Sequence, residues 1–144
     1  MRSAFILILT ILIIILFYVI GAYVDSKNSI AQIKIENQEY EQYLGKTVYG
    51  TDVATVINKA VDQNEKNKIP KDEKGYYIEN TTNSIKIDIN MLTIEKTFYM
   101  EQFYNNDITQ FVENFNLVNF KCSEIQYHKE TGKIKKIVFE QLEY

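Results

Sequence analysis

The sequence predicts an α+β protein: an N-terminal transmembrane helix extended by an amphipathic helix, then a small antiparallel-sheet domain with two further helices. Three observations carry this. Residues Ala4 to Val24 form one apolar run without a charge. Two later stretches, around residues 53–61 and 108–115, repeat their apolar residues with helical spacing. Three others, 84–92, 119–128 and 133–142, alternate with period two, as half-buried strands do.

The apolar run is Ala-Phe-Ile-Leu-Ile-Leu-Thr-Ile-Leu-Ile-Ile-Ile-Leu-Phe-Tyr-Val-Ile-Gly-Ala-Tyr-Val. As a helix it spans roughly 31 Å, the thickness of a bilayer's hydrocarbon core. Thr10 can bond back to its own turn, and Tyr18 and Tyr23 fall where aromatic rings favour the headgroup region. The rival reading is a cleaved secretory signal, whose apolar core is shorter; only Val19-Ile20-Gly21 resembles a cleavage site. The run is therefore read as an uncleaved, single-pass signal anchor, dividing the chain into residues 1–24, the anchor, and 25–144, an exported domain whose residues 25–45 are a stalk or packing helix. Arg2 precedes the span and Lys27 and Lys34 follow it, so the basic flanks are nearly balanced. The short N-terminal tail favours an N-terminus inside and the domain outside.

Residues 26–44 lack Gly and Pro. Ile30, Ile33, Tyr40 and Leu44 lie on one helical stripe with Asn37. The expectation is a helix continuous with the anchor, ending at Gly45 and packing this stripe. The alternative is a hinge at 25–29, where Ser26, Asn28 and Ser29 are poor helix formers. Next, Thr51 is expected to cap a helix with Asp52 in its first turn and an apolar stripe of Val53, Val56, Ile57, Ala60 and Val61. Gln63 to Gly75, charged and interrupted by Pro70, reads as an exposed loop.

The period then becomes two. Tyr76 to Glu79 reads as a short strand, and Asn80 to Asn83 as a turn. Ser84 to Leu92 reads as a strand with Ile85, Ile87 and Ile89 on one face and Lys86, Asp88 and Asn90 on the other, the pattern of an antiparallel sheet with one wet face. Thr97 to Tyr104 is expected to pair with it after a turn near Glu95-Lys96, with a helix there as the alternative. Asp107 and Gln110 have capping-box spacing for a helix through Ile108, Phe111, Val112 and Phe115 that ends near Asn116. Asn119 to His128 and Lys133 to Leu142 form a hairpin around Glu130-Thr131-Gly132, with a bulge near Ser123-Glu124 where the alternation slips.

Formal net charge is −3, and Arg2 is the only charge before Asp25, so the remainder carries −4. That balance argues against nucleic acid and anionic lipid surfaces as main partners. One cysteine, Cys122, makes no intramolecular disulfide, and its alternation with Phe120 reads as a small buried hydrophobe. With one His and one Cys, no metal site is expected; Glu36, Glu39 and Glu41 spread over a polar helix face. His128, the sole histidine, is expected in an exposed position at the hairpin mouth. It lies too far along the strand from Cys122 to activate it, roughly 20 Å at about 3.3 Å per residue. No phosphate-binding loop or dinucleotide fingerprint occurs. The sequence thus assigns no catalytic, cofactor-binding or metal-binding residue, and the chain is not expected to be an enzyme.

Two readings of function follow. The first is a membrane-anchored structural or interaction protein of the bacterial envelope, contacting lipid through residues 4–24 and other envelope proteins through tyrosine-rich surfaces around Tyr40, Tyr43, Tyr49, Tyr76 and Tyr77. The alternative is a ligand-binding sensor module with a pocket for a small molecule or cell-wall fragment, lined by Phe98, Tyr99, Phe103 and Tyr104. The layout, an N-terminal apolar helix running into an amphipathic half and then a sheet, resembles type IV pilins and pseudopilins. Ala4-Phe5 matches the Gly or Ala before Phe or Met at the prepilin junction. The fifth residue from Phe5 is Leu9 instead of that family's Glu. The resemblance implies a pilus- or secretion-apparatus subunit or accessory.

Overall fold

A computed structural model describes residues 2–92 and 96–143. The elements are α1 (Arg2–Glu41), β1 (Thr47–Tyr49), α2 (Gly50–Lys66), β2 (Lys86–Met91), β3 (Lys96–Tyr99), α3 (Met100–Tyr104), α4 (Ile108–Phe115), β4 (Asn119–Tyr127) and β5 (Ile134–Gln141). The chain forms two compact units, Met1–Glu36 and Asn37–Tyr144.

The first unit is helical. α1 is long and apolar enough to cross a membrane, with a mean hydropathy of 3.1 and none of its most apolar window buried. Thr10 Oγ1 donates back to the carbonyls of Ile6 (3.1 Å) and Leu7 (2.8 Å), which removes the cost of a bare hydroxyl in an apolar helix. Residues 25–29 are helical instead of forming a hinge, and the Ser29 hydroxyl bonds the Asp25 carbonyl at 2.9 Å. The expected stripe is unevenly used: Tyr40 is buried, Ile33 is half-buried, and Ile30 and Leu44 are exposed.

The second unit is an α+β layer pair. Its five-stranded sheet runs in the order β1-β4-β5-β2-β3. All neighbours are antiparallel except β2 and β5, which are parallel. The expectation of an all-antiparallel sheet is corrected at this one pairing. β5 reaches β2 only after β3, α3, α4 and β4, and alternation within β2 cannot encode the direction of so remote a partner. Ile87 and Ile89 pair with Ile137 and Phe139, and β4 adds Phe120 and Cys122 to the same face. Val53, Val56, Ile57, Ala60 and Val61 of α2 and Phe111 of α4 complete the core against it. The amphipathic stripe of α2 is thus a packing face.

The hairpin follows its local signals. β4 and β5 pair with a register shift between Cys122 and Glu124, where the bulge was expected, and Gly132 turns at φ +70°. Asn116 caps the end of α4, and the Asp107 carboxylate accepts from Thr109 N at 2.9 Å, in place of the expected box with Gln110. Asn80 makes the expected turn, its side-chain oxygen taking the N–H groups of Thr82, Asn83 and Ser84.

Four boundaries differ from expectation. α2 begins two residues early, with Tyr49 rather than Thr51 at the cap, and the Asp52 carboxylate accepts the Tyr49 N–H at 3.1 Å. The same helix runs on to Lys66, so Gln63 to Gly75 is not all loop: Asn64 and Ile69 are buried. Tyr76 to Glu79 makes only a single bridge, Lys71 with Tyr77. Its backbone is satisfied elsewhere, Tyr77 N by the Glu101 carboxylate (3.1 Å) and Ile78 N by the Pro70 carbonyl (2.8 Å). The strand expected over Thr97 to Tyr104 stops at Tyr99, where Gln102 Oε1 accepts the Tyr99 N–H at 2.9 Å and starts α3. Of the turn expected at Glu95-Lys96, Glu95 lies outside the described residues and Lys96 is already in β3.

Candidate functional site

The residues singled out for chemistry are held in structural roles. His128, expected to be exposed, is 3% exposed, and its Nε2 lies 2.8 Å from the Ser84 carbonyl. With His128 N donating to the Lys133 carbonyl and Gly132 N to the His128 carbonyl, the ring ties the hairpin turn to the segment entering β2. Cys122 is fully buried, and burial pushes its thiol up to about 11, away from the reactive thiolate. Glu39 is paired with Lys59 at 3.1 Å, while Glu41 accepts the Tyr127 hydroxyl at 2.8 Å. Burial, followed by the Glu41 contact, raises the Tyr127 hydroxyl to about 12. Among the described residues no group of three His, Cys, Asp or Glu side chains is arranged to hold a metal ion.

The tyrosines divide. Tyr40 and Tyr77 are in the core, Tyr43 packs against it, and Tyr49 is half exposed. Tyr76 meets Tyr99 edge-on with ring centroids 6.2 Å apart. The sheet face away from the helices carries charge. Lys136 pairs with Asp88, and Glu79 pairs with both Lys86 and Lys135. Hydrogen bonding by Lys135 lowers the Glu79 pKa, while the Asp88 contact raises that of Lys136. Val138, register partner of Asp88, is buried beside these long side chains.

Glu101 is the unusual acid. It is 5% exposed, at the start of α3, and its carboxylate receives Tyr77 N. Burial raises its pKa above the usual carboxylate range. The folded protein therefore holds this proton more tightly than the unfolded chain. The contribution of Glu101 to stability is greatest below the ordinary carboxylate pKa and declines as pH rises through the raised folded value. Glu101→Gln is expected to gain stability relative to wild type between acid and neutral pH in urea melts. A wild type that gains on the variant over that range would show that Glu101 is not penalised by burial.

A cavity of about 150 Å³ lies between α3 and α4. Phe103, Phe111 and Phe115 line it, with the amide side chains of Gln102, Asn106, Gln110 and Asn114 and the Asp107 carboxylate. Of the pocket residues expected from sequence, only Phe103 is here. Phe98 stacks on Phe103 at 5.4 Å, within the aromatic chain that continues to Phe111 (4.6 Å) and Phe115 (5.1 Å). Tyr99 turns to Tyr76, and Tyr104 is exposed. The expectation treated 97–104 as one strand; the switch to helix after Tyr99 rotates these side chains apart. Of the amides, only Gln110 and Asn114 had a local signal, their spacing of four within α4; Gln102 comes from α3 and Asn106 from the turn between the helices. No protein-family model, curated protein or solved structure matches the chain.

Proposed function

We propose that this chain is a membrane-anchored structural or interaction protein of the bacterial envelope, with its N-terminus inside and residues 25–144 outside. The observation that carries the reading is α1: an uncharged apolar run long enough to span a bilayer, continuing as helix through Glu41. Apolar side chains outside the run that remain exposed, among them Leu117, Tyr49 and Ile78, supply contact surface for protein partners. The pilin-like layout supports a place beside a pilus or secretion apparatus. Leu9 in place of Glu favours an accessory over a polymerising subunit.

Cross-linking in intact membranes followed by mass spectrometry is the test. Reproducible protein neighbours of the second unit are expected, and their absence would overturn the interaction role. Trypsin added outside protoplasts is expected to cleave first between Lys71 and Lys74, where the backbone is exposed beyond the end of α2. Protection until lysis would reverse the orientation.

The cavity between α3 and α4 favours a second reading, a ligand-binding module. Aromatic walls with a few convergent polar groups are the usual make-up of a small-molecule site.

A further inference from the structure

The cavity is built from a repeat of four residues. Gln102-Phe103, Gln110-Phe111 and Asn114-Phe115 each place an amide beside an aromatic ring, and Asn106-Asp107 holds the intervening step at the turn between the helices. On α4 positions four apart share a face, so Gln110 stands above Asn114 and Phe111 above Phe115. The chain breaks at Asp107, with φ +73°, and α3 brings Gln102 and Phe103 to the same cavity from a separate helix. Phe111 is buried, while Phe103 and Phe115 are half-buried and the amides of Asn106, Gln110 and Asn114 are exposed. The floor is therefore apolar and the rim polar without being cationic.

The amides retain capacity. Gln102 Oε1 is taken by Tyr99 N, which leaves its NH₂ group. Asn106 and Asn114 each use one N–H on a carbonyl four residues back, at 2.8 Å, and keep a second N–H and a carbonyl oxygen. Gln110 makes no side-chain hydrogen bond among the described residues. Asp107, the one charged lining residue, already accepts from Thr109 N and stands against an anionic ligand.

We propose that this cavity binds one neutral hexopyranose unit, with the apolar face of the ring against the half-buried Phe103 and Phe115, which rest on the buried Phe111, and its hydroxyls paired with the amides of Gln102, Asn106, Gln110 and Asn114. Hydroxyls donate and accept, as amides do, so the rim matches a polyol better than it matches an ion. The size limits the ligand: about 150 Å³ in a pocket open to solvent leaves room for one ring unit and not for a second. An extended peptide would need a longer groove. This assignment rests on the ligand-module reading and names its ligand class.

The test uses the full chain in phosphatidylcholine nanodiscs, which carry no sugar headgroup. Saturation-transfer NMR is recorded with N-acetylglucosamine, methyl β-glucopyranoside, phenol and a blocked alanine dipeptide as separate probes. Saturation of the sugar ring C–H protons is expected, with Gln110→Ala and Asn114→Ala each weakening it about fivefold or more. Both side chains are exposed, so the variants keep the fold, checked by circular dichroism. Sugar saturation that neither variant changes would place the binding elsewhere and overturn the proposal. Saturation of phenol or the dipeptide but of neither sugar would overturn the sugar assignment and leave a ligand module of another class. No transfer to any probe would overturn both.

Discussion

Gly50→Ala is expected to destabilise the second unit by about 3 kcal/mol or more, against the usual sign for this substitution. Replacing glycine by alanine in a helix normally stabilises by roughly 0.4–1 kcal/mol, because the unfolded chain loses freedom. Gly50 opens α2 and is buried under the end of α4. A Cβ built there meets the Phe115 carbonyl oxygen at 2.0 Å and its carbon at 2.7 Å. Those are backbone atoms, so no rotamer relieves the clash, and α2 must move away from α4. Overpacking of this kind costs about 1–3 kcal/mol and occasionally more, with a backbone obstacle at the upper end. Gly50 N also donates to the Val118 carbonyl at 3.0 Å, a bond that the same movement would strain. Urea melts of the fragment beginning at Asp25 measure the effect. Gly45→Ala is the comparison: nothing lies within 4 Å of its added Cβ, but φ is +73°, so its cost is conformational alone. A Gly50→Ala variant as stable as wild type would mean that the α2–α4 approach is looser than described.

Asn64→Ala is expected to cost about 2–5 kcal/mol. Asn64 is completely buried in the last turns of α2. Its Nδ2 donates to the Ile85 carbonyl and its Oδ1 accepts the Ile85 N–H, both at 2.8 Å. The pair substitutes for a missing strand neighbour at the entry to β2. Alanine leaves a buried N–H and a buried C=O without partners, at about 1–3 kcal/mol each. Asn64→Asp keeps only the acceptor and adds a buried charge, so it is expected to be no better than alanine near neutral pH. Thermal melts of the three proteins provide the check. An alanine variant melting within a degree or two of wild type would show that water replaces the amide.

Asn64 also marks where the sequence stopped being informative. It stands in a polar run, Gln63-Asn64-Glu65-Lys66, that looks like a solvated loop until Ile85 supplies its partner. Asn37 is similar: it lies on the helical stripe, and its amide bridges the Gly132 carbonyl and Ile134 N of the hairpin. His128 was misjudged because a residue flanking a turn is usually wet, and only the Ser84 carbonyl makes its burial tolerable. The candidate cavity was half legible. Phe103 was expected to line a pocket, but its partners Phe111 and Phe115 come from the next helix, and the wrong period at 100–104 put Tyr99 and Tyr104 beside it.

What the sequence determined by itself is whatever one stretch encodes in its own spacing: the uncharged span of Ala4 to Val24, the α2 stripe from Val53 to Val61, the hairpin around Gly132 and the bulge after Cys122. These rest on helical and strand periods and on turn chemistry, which act over a few residues. The tertiary structure decided the parallel seating of β2 on β5, the burial of Asn64 and His128, the close approach at Gly50 and the meeting of α3 with α4. Each depends on a backbone group or ring supplied from a remote part of the chain. A polar side chain is buried or exposed according to whether that distant partner satisfies it, and no local pattern records the partner's position.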